Sequence, residues 1–118
     1  MNTIKRLSPR QAIINFSDFD IRIFTKYKSA YCSEIRIWKL PRRSTFLSMF
    51  NTKNLIWAVY GKDATALHGW FNKESSLLKA ITDKVVQCKN FEELKELLID
   101  FEKIISGEIP TSEKFINT

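Results

Sequence analysis

The stretch IRIFTKYKSAYCSEIRIW, Ile21 to Trp38, decides the fold, because it states one alternating pattern twice, on either side of a basic loop. Ile21-Arg22-Ile23-Phe24 and Ile35-Arg36-Ile37-Trp38 each set an aliphatic residue at every second position, the period of a half-buried strand. With Ser29-Ala30-Tyr31 as the loop, the two runs form an antiparallel hairpin in which Arg22 faces Trp38, Phe24 faces Arg36, Lys26 faces Glu34 and Ile23 faces Ile37. Each cation then meets a ring or a carboxylate. A shift of two residues would set Arg22 against Arg36, so cross-strand pairing favours the first register by about 1–2 kcal/mol.

Working outward, Pro41 ends the second strand, since it donates no ladder hydrogen bond, and the basic corner KLPRRS follows. Upstream, LSPRQAI has Ser8, Pro9 and Gln11 in a capping-box pattern. This predicts a short N-terminal helix over residues 9–16, with Ala12, Ile13 and Phe16 facing the core, broken by SDFD. TFLSMF, residues 45–50, fits a strand or a turn of helix equally. LIWAVY, residues 55–60, is an apolar run of the kind found in a central strand covered on both faces, and Gly61 closes it.

The C-terminal half reads as helical. Asp63 opens a short turn through ATALHGWF, where Gly69 disfavours anything longer. Asn72 caps a helix with Leu77, Leu78, Ile81, Val85 and Val86 on one stripe. Asn90 and Glu93 form a capping box for a second helix, with Leu94, Leu98, Phe101 and Ile105 at three-four spacing, ended by Gly107. The expected fold is therefore α+β: a short N-terminal helix, a small antiparallel sheet of about three strands, and two C-terminal helices packed as a pair on the sheet. Residues 1–110 form one compact domain and residues 111–118 a loose tail.

Composition narrows the function classes. The aromatic content of 13% argues against disorder, and no apolar run approaches the ~20 residues a bilayer requires. No secretory signal opens the chain, and Cys32 and Cys88 read as reduced, buried thiols, so a cytoplasmic protein off the membrane is expected. The net charge of +6 is uneven. Residues 1–43 carry ten Lys/Arg against three Asp/Glu, whereas residues 90–118 carry three against seven. The acids Glu92, Glu93 and Glu96 suit the first turns of a helix, which accounts for them structurally.

Catalytic chemistry finds no foothold. His68 stands alone without a nucleophile motif, Asp18 and Asp20 suit a turn between elements, and the three glycines are too scattered for a phosphate loop. The acid-x-lysine fragment at Glu93-Leu94-Lys95 lies in a capped helix, where it has no second acid beside it. Neither a metal nor a cofactor is expected, and an enzyme is not. What remains is binding: cations neutralise phosphates while rings stack on bases. The candidate residues are Lys26, Lys28 and Tyr31 at the hairpin tip, Arg42 and Arg43 at the basic corner, and Arg22, Arg36 and Trp38 along the strands. The expected role is a small non-enzymatic binding protein contacting nucleic acid or a ribonucleoprotein. The alternative is a stoichiometric inhibitor of the immunity, antitoxin or anti-defence kind that docks on an acidic partner protein.

Overall fold

The computed structural model describes residues 2–42, 52–71 and 76–107. At its centre β3 (Phe19–Lys28) and β4 (Tyr31–Pro41) pair antiparallel. Arg22 lies opposite Trp38, Phe24 opposite Arg36, Lys26 opposite Glu34 and Ile23 opposite Ile37, the register that the charges and rings predict. The loop differs from expectation. It is the two residues Ser29-Ala30, and Tyr31 is already in β4 opposite Lys28. A bulge after Lys26 absorbs the extra residue at Ser33, which lets a two-residue turn, better matched to strand twist, coexist with the favoured register. Ser29 takes the left-handed conformation this turn needs, at φ 59°.

The predicted N-terminal helix is absent; its residues form a hairpin of β1 (Thr3–Ser8) and β2 (Gln11–Asn15). Ser8 does cap, but what it caps is the turn: its Oγ accepts the Arg10 N–H at 3.1 Å, and Pro9 sits between them, where it removes no ladder bond. Ala12, Ile14 and Phe16 are buried at a spacing of two, so Ile14 replaces Ile13 as the core residue. With β5 (Leu55–Tyr60) the sheet has, among the described residues, five strands in the order β1-β2-β3-β4-β5, where the sequence suggests about three. β5 is an edge strand, not a central one, and pairs with β4. Its apolar run is accounted for by Trp57 and Val59 on one face and by a bulge that admits Ile56.

Among the described residues three helices follow, one more than expected: α1 (Gly61–Trp70), α2 (Leu77–Val85) and α3 (Phe91–Ile105). α1 runs through Gly69 because that residue is next to its end, where fraying makes glycine cheap, while Ala64, Leu67, His68 and Trp70 are buried. Gly61 supplies the sharp strand-to-helix joint at φ 56°. Ser76 caps α2 by accepting the Lys79 N–H, and Asn90 caps α3 by accepting that of Glu93 at 3.0 Å. Asn72, residues 45–50 and the tail 111–118 lie outside the described residues.

The helices do not pack as an isolated pair. α1 lies on β4 and β5, α2 on β2 and β3, and α3 runs along both, with Phe101 between Trp57 of β5 and Phe71. All three cover the same face of the sheet, whose Ile14, Ile21, Ile23, Ile35 and Ile37 are fully buried beneath Leu67, Leu78, Ile81 and Leu94. Burying side chains of this size drives the fold, at about 1.5–3 kcal/mol each. Among the described residues no helix is long and apolar enough to cross a membrane.

Candidate functional site

Because side chains alternate along a strand, the face opposite the helices is fixed by the register. It presents Thr3 and Lys5 on β1, Gln11, Ile13 and Asn15 on β2, Asp20, Arg22, Phe24 and Lys26 on β3, Glu34, Arg36, Trp38 and Leu40 on β4, and Ala58 and Tyr60 on β5, with Asp20 and Leu40 buried at the end remote from the hairpin tip. Among the described residues no helix packs on this side. The central two strands form a checkerboard, with Arg22 beside Trp38 and Phe24 beside Arg36. Facing residues in such pairs stand about 5 Å apart, so each arginine has an aromatic residue as its cross-strand neighbour.

The cations are ordered by neighbours on the same face. A hydrogen bond runs from Arg22 Nη2 to Gln11 Oε1, and burial pulls the Arg22 guanidinium below its ordinary pKa. Arg36 Nε lies 2.8 Å from Glu34 Oε2 as an ion pair without an aligned hydrogen bond. Its guanidinium carbon stands 5.6 Å from the centre of the Tyr60 ring, a cation–π contact. Arg36 retains 40% of its side-chain exposure and Tyr60 is 51% exposed, so both remain open to a ligand. Two carboxylates, Glu34 and the buried Asp20, therefore stand against Lys5, Arg22, Lys26 and Arg36 on the strands of this face.

α1 braces the hairpin tip from the other side. His68 Nδ1 accepts the Cys32 backbone N–H at 3.0 Å, and Thr65 Oγ1 donates to the Cys32 carbonyl at 3.2 Å. The His68 ring meets those of Tyr27 and Tyr31 edge-on, at 5.7 and 6.3 Å between centres. An imidazole that accepts at Nδ1 is neutral with its proton on Nε2, and burial lowers the His68 pKa accordingly. Tyr31 is thus held at its base yet 56% exposed.

The eight candidate residues do not converge on one site. Arg22, Arg36 and Trp38 share the open face with Lys26, whereas Lys28 and Tyr31 sit at the tip. Arg42 lies at the far end of the hairpin, ~30 Å away at ~3.3 Å per residue, donating Nη1 to the Ser17 carbonyl at 3.1 Å. Arg43 lies outside the described residues. Lys5, Gln11 and Tyr60 escape sequence reasoning because β1 precedes any element the sequence predicts, β2 carries a helix-like signature and Tyr60 ends a run that reads as buried. Arg10, in the β1–β2 turn, adds a cation 5.9 Å from the Tyr27 ring, and its carbonyl accepts the Thr25 N–H.

Neither cysteine is chemically poised. Both are buried free thiols, raised in pKa by desolvation, Cys88 to about 11. Among the described residues no group of three His, Cys, Asp or Glu is placed to hold a metal. The architecture is a five-stranded meander with helices on one face and a cationic, aromatic surface on the other. No protein-family model, curated protein or solved structure matches the chain.

Proposed function

We propose that the protein is a non-enzymatic binding protein that lays single-stranded nucleic acid across the helix-free face of its sheet. The observation that carries this reading is the interleaving of Arg22 and Arg36 with Phe24, Trp38 and Tyr60 on one surface, flanked by Lys5 and Lys26. Cations of this kind neutralise phosphates, and rings offer stacking platforms that every base can use. A broad antiparallel sheet suits a splayed single strand better than a duplex, whose grooves take a helix or a narrow ribbon.

The binding is expected to be of modest sequence preference and strongly salt-dependent. With four face cations engaged, single-strand binding should weaken with a log–log salt slope of about −2 to −3. Fluorescence anisotropy of a labelled oligonucleotide of about 12 nucleotides tests this. Trp38→Ala should weaken binding by about 5- to 100-fold, from one lost stacking contact of about 1–3 kcal/mol. Lys79→Gln, on the helical side, should leave it unchanged. Absence of binding at low salt, together with a stoichiometric protein complex from cells that survives nuclease, would overturn this reading in favour of an inhibitor acting on a partner protein.

A further inference from the structure

At the end of the sheet remote from the hairpin tip, the start of β1, the β2–β3 turn, Arg42 and the α2–α3 connection enclose an open cleft of about 850 Å³. Two contacts build it. Asn2 donates its side-chain amide to the carbonyls of Val86 and Cys88, pinning the chain start to the connection. Arg42 donates to the Ser17 carbonyl, which seats its guanidinium against the β2–β3 turn.

The lining is unbalanced in charge. Among the described residues it contains Arg42 and Lys89 and no carboxylate, though Asp20 Oδ1 accepts the side-chain amide of Asn15 at 2.9 Å behind it. Asp18 lines the neighbouring cleft, and Glu93 is turned to accept the Lys89 backbone N–H at 3.1 Å. Among the described residues neither Arg42 nor Lys89 has a carboxylate partner. Around the two cations stand neutral hydrogen-bonding groups, Asn15 and Gln87 among them, while the half-buried Val86 adds apolar surface.

We propose that this cleft binds a phosphate monoester, with the phosphoryl group between Arg42 and Lys89 and the esterified organic group over Val86. A phosphate monoester carries a charge of about −1.5 to −2 at pH 7, which two cations neutralise. Arginine matches its oxygens as a fork, and lysine acts as a mobile point charge. The volume is that of a site for a small organic ligand, more than a bare anion fills. The inference stands apart from the reading of the sheet face, since none of its cations lies on that face.

Calorimetric titration of the full chain at constant ionic strength tests it, with a nucleoside 5′-monophosphate, the matching nucleoside and inorganic phosphate as probes. The monophosphate should bind saturably, and the nucleoside and inorganic phosphate at least about tenfold more weakly. Lys89→Gln, which removes no side-chain contact made within the described residues, and Arg42→Gln should each weaken the monophosphate about tenfold. Lys62→Gln, at the start of α1 near the hairpin tip, should leave it unchanged. An equal loss in Lys62→Gln, a nucleoside or inorganic phosphate binding as tightly as the monophosphate, or no saturable binding would each overturn the assignment. A 5′-phosphorylated oligonucleotide binding tighter than its 5′-hydroxyl form, with the gain lost in Lys89→Gln, would identify a strand end as the source of the ester.

Discussion

Replacing His68 tests how α1 holds the hairpin tip. The side chain is 8% exposed, and its Nδ1 accepts the N–H of Cys32, a residue with no exposed surface. His68→Leu keeps most of the volume and leaves that buried donor without its acceptor, which costs about 1–3 kcal/mol. His68→Asn retains an oxygen that can accept the same N–H and should recover part of that loss. Urea denaturation of the three proteins at pH 7.5 measures the differences. The pH dependence follows from the same bond. Since burial lowers the folded-state pKa, the unfolded chain takes up a proton at His68 below about pH 6.5 while the folded protein does not. Stability from this group is fully present above that pH and falls as the solution is acidified toward the folded pKa. His68 is the single histidine in the chain, so the loss between pH 7 and pH 5 should shrink in His68→Asn. A His68→Leu protein as stable as the original, or an unchanged pH profile in His68→Asn, would refute the reasoning.

Three further outcomes are expected. Ile23→Ala, at the centre of the covered face with no exposed surface, should lose about 2–5 kcal/mol in denaturant titration, while Lys26→Ala, on the open face, should stay within ~0.5 kcal/mol. Asn90→Ala removes the acceptor for the Glu93 N–H and should cost about 1 kcal/mol, read as a lower midpoint with an unchanged slope. With its pKa near 11, Cys88 should react with a thiol reagent at pH 8 about a hundredfold more slowly than free cysteine, the rate recovering in denaturant.

The hairpin at the centre of the fold was legible because two independent signals agree there. Alternation fixes the strand period, and the charges and rings fix the register, leaving to the structure the bulge at Ser33 that trades a three-residue loop for two. The N-terminal hairpin was illegible for a local reason: Ser8, Pro9 and Gln11 satisfy the rules of a helix start and of a turn equally. Five residues of β2 are too few to separate a spacing of two from one of three to four. Pairing with β3, distant in sequence, decides the matter in favour of the strand. LIWAVY misled in the opposite sense, since an apolar run describes burial of side chains and says nothing of which strand lies beyond.

The candidate site was half legible. Parity alone puts Arg22, Phe24, Arg36 and Trp38 on one face, but nothing in the sequence tells which face the helices cover. Had they packed on that side, the arginine stems would have lain along a closed core. Lys5, Gln11 and Tyr60 reach the surface through pairings between strands, which no local pattern encodes.

The central claim, that the helix-free face receives a single strand, is tested most directly by amide and side-chain chemical-shift mapping on titration with a short unstructured oligonucleotide at low salt. The account predicts shifts at Gln11, Arg22, Phe24, Arg36, Trp38 and Tyr60, with the indole signal of Trp38 moving and that of Trp57, bonded to Glu102 on the helical side, staying in place. Shifts confined to α2 and α3, or none along β3 and β4, would contradict it.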